Sequence, residues 1–216
     1  MSPELINLFL ASFVTFFVLI DALGVAPVFA TLTSGGSAAY RRRMAVRSVF
    51  VGTLIIFGFA LGGAWLLERL HISIDAFRVA GGILLFLIAL DMVFEKRTER
   101  RENRAESYMS EHESKGEPED VSVFPVGIPM LAGPGSIATA MLYMSNESDW
   151  LSRGVILSAI GLNMLLCLLV FLAAGPLVRM MGDSIAGAIT RIFGVILAAL
   201  SVQLIVDGIK GAFALV

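Results

Sequence analysis

The chain has 216 residues, 57% hydrophobic and 16% charged, with a formal net charge of −2 and a mean hydropathy of +0.84. This composition is too apolar for a soluble domain, and ten-residue alternating segments are absent, which argues against a β-barrel. The expectation is an all-α polytopic membrane protein whose partners are the lipid bilayer and a small solute, with no nucleic acid.

Apolar runs long enough for a hydrocarbon core of about 30 Å fall at 5–32, 48–67, 76–94, 121–144, 154–177 and 184–206, giving six spans. The first run follows Glu4, has no basic leader and is too long for a cleaved signal, so it reads as a permanent helix. Its length also exceeds a straight crossing, and repeat symmetry makes its first residues an outer lead-in. Within it, LIDALGVAPVFATL carries Gly24 and Pro27 just after Asp21, the one ionisable residue deep in an apolar run. A charge at that depth is costly and by default faces a cavity or a partner, the structural alternative being a protonated carboxyl hydrogen-bonded within the bundle. Thr31 follows the interruption, and a threonine there commonly bonds its own helix backbone.

The second span holds the small-residue pair Gly58 and Gly62, and the fifth holds Gly154 with Ser158, spacings that let helices pack closely. The third span begins near Arg78 and ends near Asp91, which reads as interfacial. Segment 95–120 mixes acids and bases with almost no apolar residues, so it reads as a solvated loop or frayed helix; His112 within it has no second imidazole or thiol nearby. The fourth span contains GIPMLAGPGSIAT. About ten residues at 1.5 Å each bring this span to the midplane near Leu131, where Gly133, Pro134 and Gly135 end one half-helix and start another. The N–H groups from Ser136 onward then form a positive helix end, suited to an anionic group, with Thr139 close by; a plain proline kink is the structural alternative. In the fifth span Asn163 is a neutral amide that lines a cavity or bonds between helices, and Cys167 is a lone packing residue. The sixth span has Arg191 near its start and Gln203 and Asp207 toward its end, Gln203 carrying the same two readings as Asn163.

The charged segment separates two sets of three spans, so the organisation reads as a first three-helix repeat over 1–94, a charged cytoplasmic loop over 95–120 and a second repeat over 121–216. Setting Arg78 on Arg191 aligns RVAGGILLFLIALD with RIFGVILAALSVQL, and setting Gly24 on Gly133 aligns the two interrupted spans and places Asp21 over Met130. An odd number of spans per repeat inverts the second copy, and paired Gly/Pro-interrupted segments point to a transporter's substrate site. The connections after spans one, three and five carry twelve basic residues against four on the other face, which puts the former in the cytoplasm and both termini outside. Arg78 and Arg191 then occupy equivalent positions on opposite faces, as gate ion pairs or as snorkelling headgroup contacts.

An acid at one break and a positive helix end at the other suit a zwitterion, with ammonium to Asp21 and carboxylate to the 133–138 turn. The candidate substrate-binding set is therefore Asp21, Gly24, Pro27, Gly133, Pro134, Gly135, Ser136, Thr139, Asn163 and Gln203. No cofactor is expected beyond a coupling ion, a proton or sodium, with the proton favoured. The chain offers no HExxH, GxSxG or P-loop pattern and its two histidines lie outside the spans, so an enzyme is not expected. A cation or metal-ion exporter using Asp21, Asn163 and exposed carbonyls is the alternative.

DALGVAPVF, FRVAGGILLFLIALDM, GIPMLAGPGSIAT and ILAALSVQLIVDGI together resemble the MarC family of six-helix bacterial and archaeal inner-membrane proteins, also described as small neutral amino-acid transporters. The family's first-span motif usually reads D/N-P-I-G-N-x-P; Asp21, Gly24 and Pro27 match it, while Ala22 and Val25 replace a proline and an asparagine. The resemblance implies transport of glycine, alanine and related neutral amino acids across the inner membrane.

Overall fold

The computed structural model describes residues 2–94, 96–112 and 120–213, and every regular element among them is helical. The first span comprises α1 (Pro3–Ile20) and α2 (Ala22–Leu32), joined at Asp21. α3 (Ala38–Arg69) and α4 (Ile74–Val93) complete the first half, and the charged segment forms α5 (Lys96–His112). The second half contains an irregular segment Ser122–Leu131, then α6 (Pro134–Asn146), α7 (Trp150–Leu172) and α8 (Ala174–Ala212).

Helix starts follow their capping residues. The side chains of Ser2, Ser37, Ser73 and Asp149 each accept a backbone N–H three residues on, which meets a donor that a helix start would otherwise leave open. Among the described residues five helical stretches are long and apolar enough to cross a bilayer, and the pair Ser122–Leu131 with Pro134–Asn146, bent by 56°, makes a sixth when counted as one span. Outward faces are apolar: on α3 Phe50, Leu54, Leu61 and Trp65 are all exposed, as lipid contact requires.

The two halves are interleaved. α1 packs on α7, α3 on α6 and on the irregular segment before it, and α4 along α8. Small residues set the last contact: a Cβ added at Gly82 would lie 2.9 Å from the Ser201 carbonyl oxygen, and one at Gly194 3.0 Å from that of Ala89. By contrast, Gly58, Gly62 and Gly154 have nothing within 4 Å of an added Cβ, so the small-residue spacings expected to pack helices lie instead against open space. Specific polar links join the layers as well. Tyr143 and Thr15 hydroxyls are 3.0 Å apart, and Asn163 Nδ2 donates to the Phe13 carbonyl at 3.0 Å.

Three further expectations need correction. The first span breaks at Asp21, not at Gly24 or Pro27: Asp21 is left-handed (φ 51°), Gly24 sits in the first turn of α2 and Pro27 lies inside that helix. In the alignment that sets Gly24 on Gly133 the two breaks are thus offset, because Asp21 falls on Met130. The entry to the fourth span is not a regular half-helix, since Phe124 and Ile128 are extended, and its turns close by wide bonds such as Ala132 N–H to the Gly127 carbonyl at 3.0 Å. Prolines 125 and 129 explain this, since each lacks a donor and pushes the residue before it out of the helical region. Finally, the connection expected between spans five and six, 178–183, is helical, because α8 runs on from Ala174.

Candidate functional site

Asp21 ends α1 and begins α2 in a conformation that short polar residues tolerate through local hydrogen bonds. Its Oδ1 accepts from the Gly24 N–H at 3.2 Å, capping α2. The carboxylate lies so close to Gly24 that a Cβ there would be 2.3 Å from Oδ2, so the motif glycine is the space into which the acid folds back. The same Oδ2 accepts from Arg101 Nη1 at 2.9 Å. Both side chains are buried, at 0% and 6% exposure.

This pair changes the reading of the charged segment. α5 is polar on nearly all of its described surface, yet Arg101 and Ala105, one turn apart, are buried and form a narrow inner stripe. The neighbouring Arg100 pairs with Asp91 of α4, so two consecutive arginines clasp acids from the first and third spans. The segment is therefore not a solvated loop throughout, and Asp21 is not an isolated carboxylate. The rest of the segment, 113–119, lies outside the described residues, as does the side chain of His112.

At the second break, α6 starts at Gly133 with no side-chain cap. Its first intrahelical bond runs from the Ile137 N–H to the Gly133 carbonyl at 3.1 Å. Pro134 has no N–H, which leaves the N–H groups of Gly135 and Ser136 as the open donors of the first turn. Chain folding is tight here: a Cβ on Gly133 would lie 2.8 Å from the Pro129 carbonyl oxygen. Gly133, Pro134, Gly135 and Ser136 line a cavity of about 270 Å³ together with Arg100, Arg101 and Asp91, closed by the apolar Leu19, Ile88, Pro129 and Met130.

The predicted residues divide accordingly. The four residues of the α6 start share this cavity, and Asp21 and Gly24 stand behind Arg101. Thr139 is one turn into α6, its hydroxyl buried without a hydrogen-bond partner. Asn163 lies against the first break in a separate cavity of about 170 Å³ with Ile20 and Ala22, its amide nitrogen committed to the carbonyls of Phe13 and Ala159. Pro27 and Thr31 line a third cavity of about 800 Å³, where Thr31 donates to the Pro27 carbonyl at 3.1 Å. Gln203 is exposed on α8 and donates to Asp207, apart from these cavities. Arg78 bonds Asp75 at 2.8 Å and the side chain of Asn146, tying the start of α4 to the end of α6, while Arg191 is exposed on α8. Sequence reading missed Arg101 and Asp91 as site residues; the signal for Arg101 was the unmet need of Asp21 for a counter-charge.

The large cavity also fixes which connections share a face. Arg41 and Arg42 after the first span, Glu102 and Glu106 in α5, and Arg179 after α7 all line it. Nearby, Asp120 pairs with Arg47 and accepts from the Ser122 N–H at 3.0 Å, holding the start of the fourth span. Partial burial pushes the Asp120 carboxyl up, but the Ser122 hydrogen bonds and the arginines outweigh it and hold the group below the ordinary carboxylate range.

The chain matches MarC family integral membrane proteins over residues 6–213. It is 37% identical to a UPF0056 membrane protein of the archaeon Methanocaldococcus jannaschii over 204 residues, covering 94% of this chain and 97% of that one. To the UPF0056 membrane protein YhcE of Escherichia coli it is 34% identical over 201 residues, 93% of this chain and 91% of its relative. YvbG of Bacillus subtilis is similar at 33% over 202 residues, 93% of each. No solved structure matches. The chain belongs to the MarC family of integral membrane proteins.

Proposed function

We propose that this member of the MarC family is a secondary transporter of small neutral amino acids such as glycine and alanine, bound between the two broken spans. One observation carries the reading: the wall between the breaks holds acids and bases in equal number, Asp21 with Arg101 and Asp91 with Arg100, beside an uncapped helix start. A site that sums to zero while presenting both signs suits a molecule that does the same. Asp91 on the cavity wall supplies the negative end that receives the ammonium, while Asp21 stays behind Arg101 and holds it in place. The α6 start supplies the positive end.

Arg101 weighs against the cation-exporter reading, since a guanidinium 2.9 Å from Asp21 stands where a bound cation would have to be. The inverted repeat is supported by the pairing of α1 with α7, α3 with α6 and α4 with α8. Exchanging the two halves maps each of these contacts onto another or onto itself, as a pseudo-two-fold axis demands. With the basic connections in the cytoplasm, both termini face outward across the inner membrane.

Thermal unfolding of the purified protein with a ligand panel tests the substrate class. Glycine or alanine at about 100 times Kd should stabilise the fold by about 2.7 kcal/mol. Stabilisation by a divalent cation with none from any amino acid would replace this reading with the exporter.

A further inference from the structure

We propose that Arg101 is the carboxylate ligand of the cavity between α5 and α6, acting with the open N–H groups of Gly135 and Ser136; this deepens the amino-acid transporter reading and rests on it for the identity of the carboxylate. Two independent features converge on that space. The first is Arg101 itself. Its Nη1 donates to Asp21, but Nη2 is buried without any hydrogen-bond partner, in a residue only 5% exposed that lines the cavity. A charged donor left unmade inside a protein is costly, so the native use of Nη2 is a ligand rather than nothing.

The second is the first turn of α6, a helix of 13 residues whose Gly133 cap supplies no side chain and whose residues Gly135 and Ser136 line the same cavity. The planar guanidinium presents separate edges, so one can stay on Asp21 while another receives an incoming acid. Asp21 then acts as a positioning residue that fixes the plane of Arg101. Apart from Arg100 and Asp91, which neutralise each other, the lining at Leu19, Ile88, Pro129 and Met130 is apolar and the volume is about 270 Å³, which favours a small organic monocarboxylate over a multiply charged oxyanion such as phosphate.

Calorimetry on the full chain in detergent, with alanine, alaninamide, propionate and inorganic phosphate as probes, tests the assignment. Wild-type protein should bind alanine at least about 10-fold more tightly than alaninamide, which lacks the carboxylate. Arg101→Gln should reduce that preference to near unity, and Arg101→Lys should restore it in part, because a point charge lacks the second edge. The double variant Asp21→Asn/Arg101→Gln removes both members of the buried pair, guards against misfolding, and should likewise show no preference. Equal binding of alanine and alaninamide by the wild type, or a preference that survives in the double variant, overturns the proposal, as does phosphate binding more tightly than propionate. If alanine fails to bind while propionate binds and is lost in Arg101→Gln, the carboxylate site stands and the amino-acid reading falls. Absence of binding by every carboxylate overturns the site itself.

Discussion

Asp21 joins a backbone role to an electrostatic one: it breaks the first span in a left-handed conformation and holds a buried arginine from a different part of the chain. Removing one member strands the other charge away from water. Asp21→Asn and Arg101→Gln should therefore each destabilise the fold by about 3–5 kcal/mol, while the double variant costs clearly less than their sum. Denaturant titration of the four proteins gives the coupling, and additive losses would mean that the pair contributes nothing. Gly133→Ala should also impair the protein, because its Cβ would meet a backbone carbonyl oxygen at 2.8 Å; Gly154→Ala, with nothing within 4 Å, is the control. Ligand-binding assays on both variants should show a loss only for Gly133→Ala. Both breaks were visible in the sequence as glycine and proline in apolar runs, but the position of the first was not. Asp21 takes the left-handed turn itself, and a single aspartate carries no breaker signal in a pattern dominated by Gly24 and Pro27.

At the scale of elements, α4 and α5 both contribute residues to the site, and α4 is in turn packed along α8. Gly208 sits where a Cβ would be 2.8 Å from the Asp75 carbonyl oxygen, so Gly208→Leu should separate the two helices and lower the melting temperature. Gly58→Leu, facing open space, should leave the melting temperature near that of the wild type. The spans were legible because hydropathy integrates over about 20 residues, and small errors at their ends do not change the sum. α5 was not legible by the same means. Its packing depends on Arg101 and Ala105 in a polar helix whose other described side chains are exposed, and a stripe that narrow, headed by an arginine, has no hydrophobic signature. The glycine pairs show the converse error, since small-residue spacing marks a surface that can pack closely without saying whether a partner is there.

For the whole molecule, the charge count and the fold agree on which connections lie together, as Arg41, Arg42 and Arg179 line one large cavity with α5. The orientation that follows predicts that a reporter joined after Val216 works only in the form active outside the cytoplasm, and that a tag inserted in 113–119 resists protease added to intact cells. A cytoplasmic C-terminus would reverse the repeat as drawn. The central claim, transport of small zwitterionic amino acids between the two breaks, is tested most directly by counterflow into proteoliposomes loaded with unlabelled alanine. Radiolabelled alanine and glycine should accumulate transiently and saturably, and Asp21→Asn should abolish the accumulation while the protein still inserts. No amino-acid counterflow by the wild-type protein under conditions where it carries a cation, or undiminished flux in Asp21→Asn, would contradict the account.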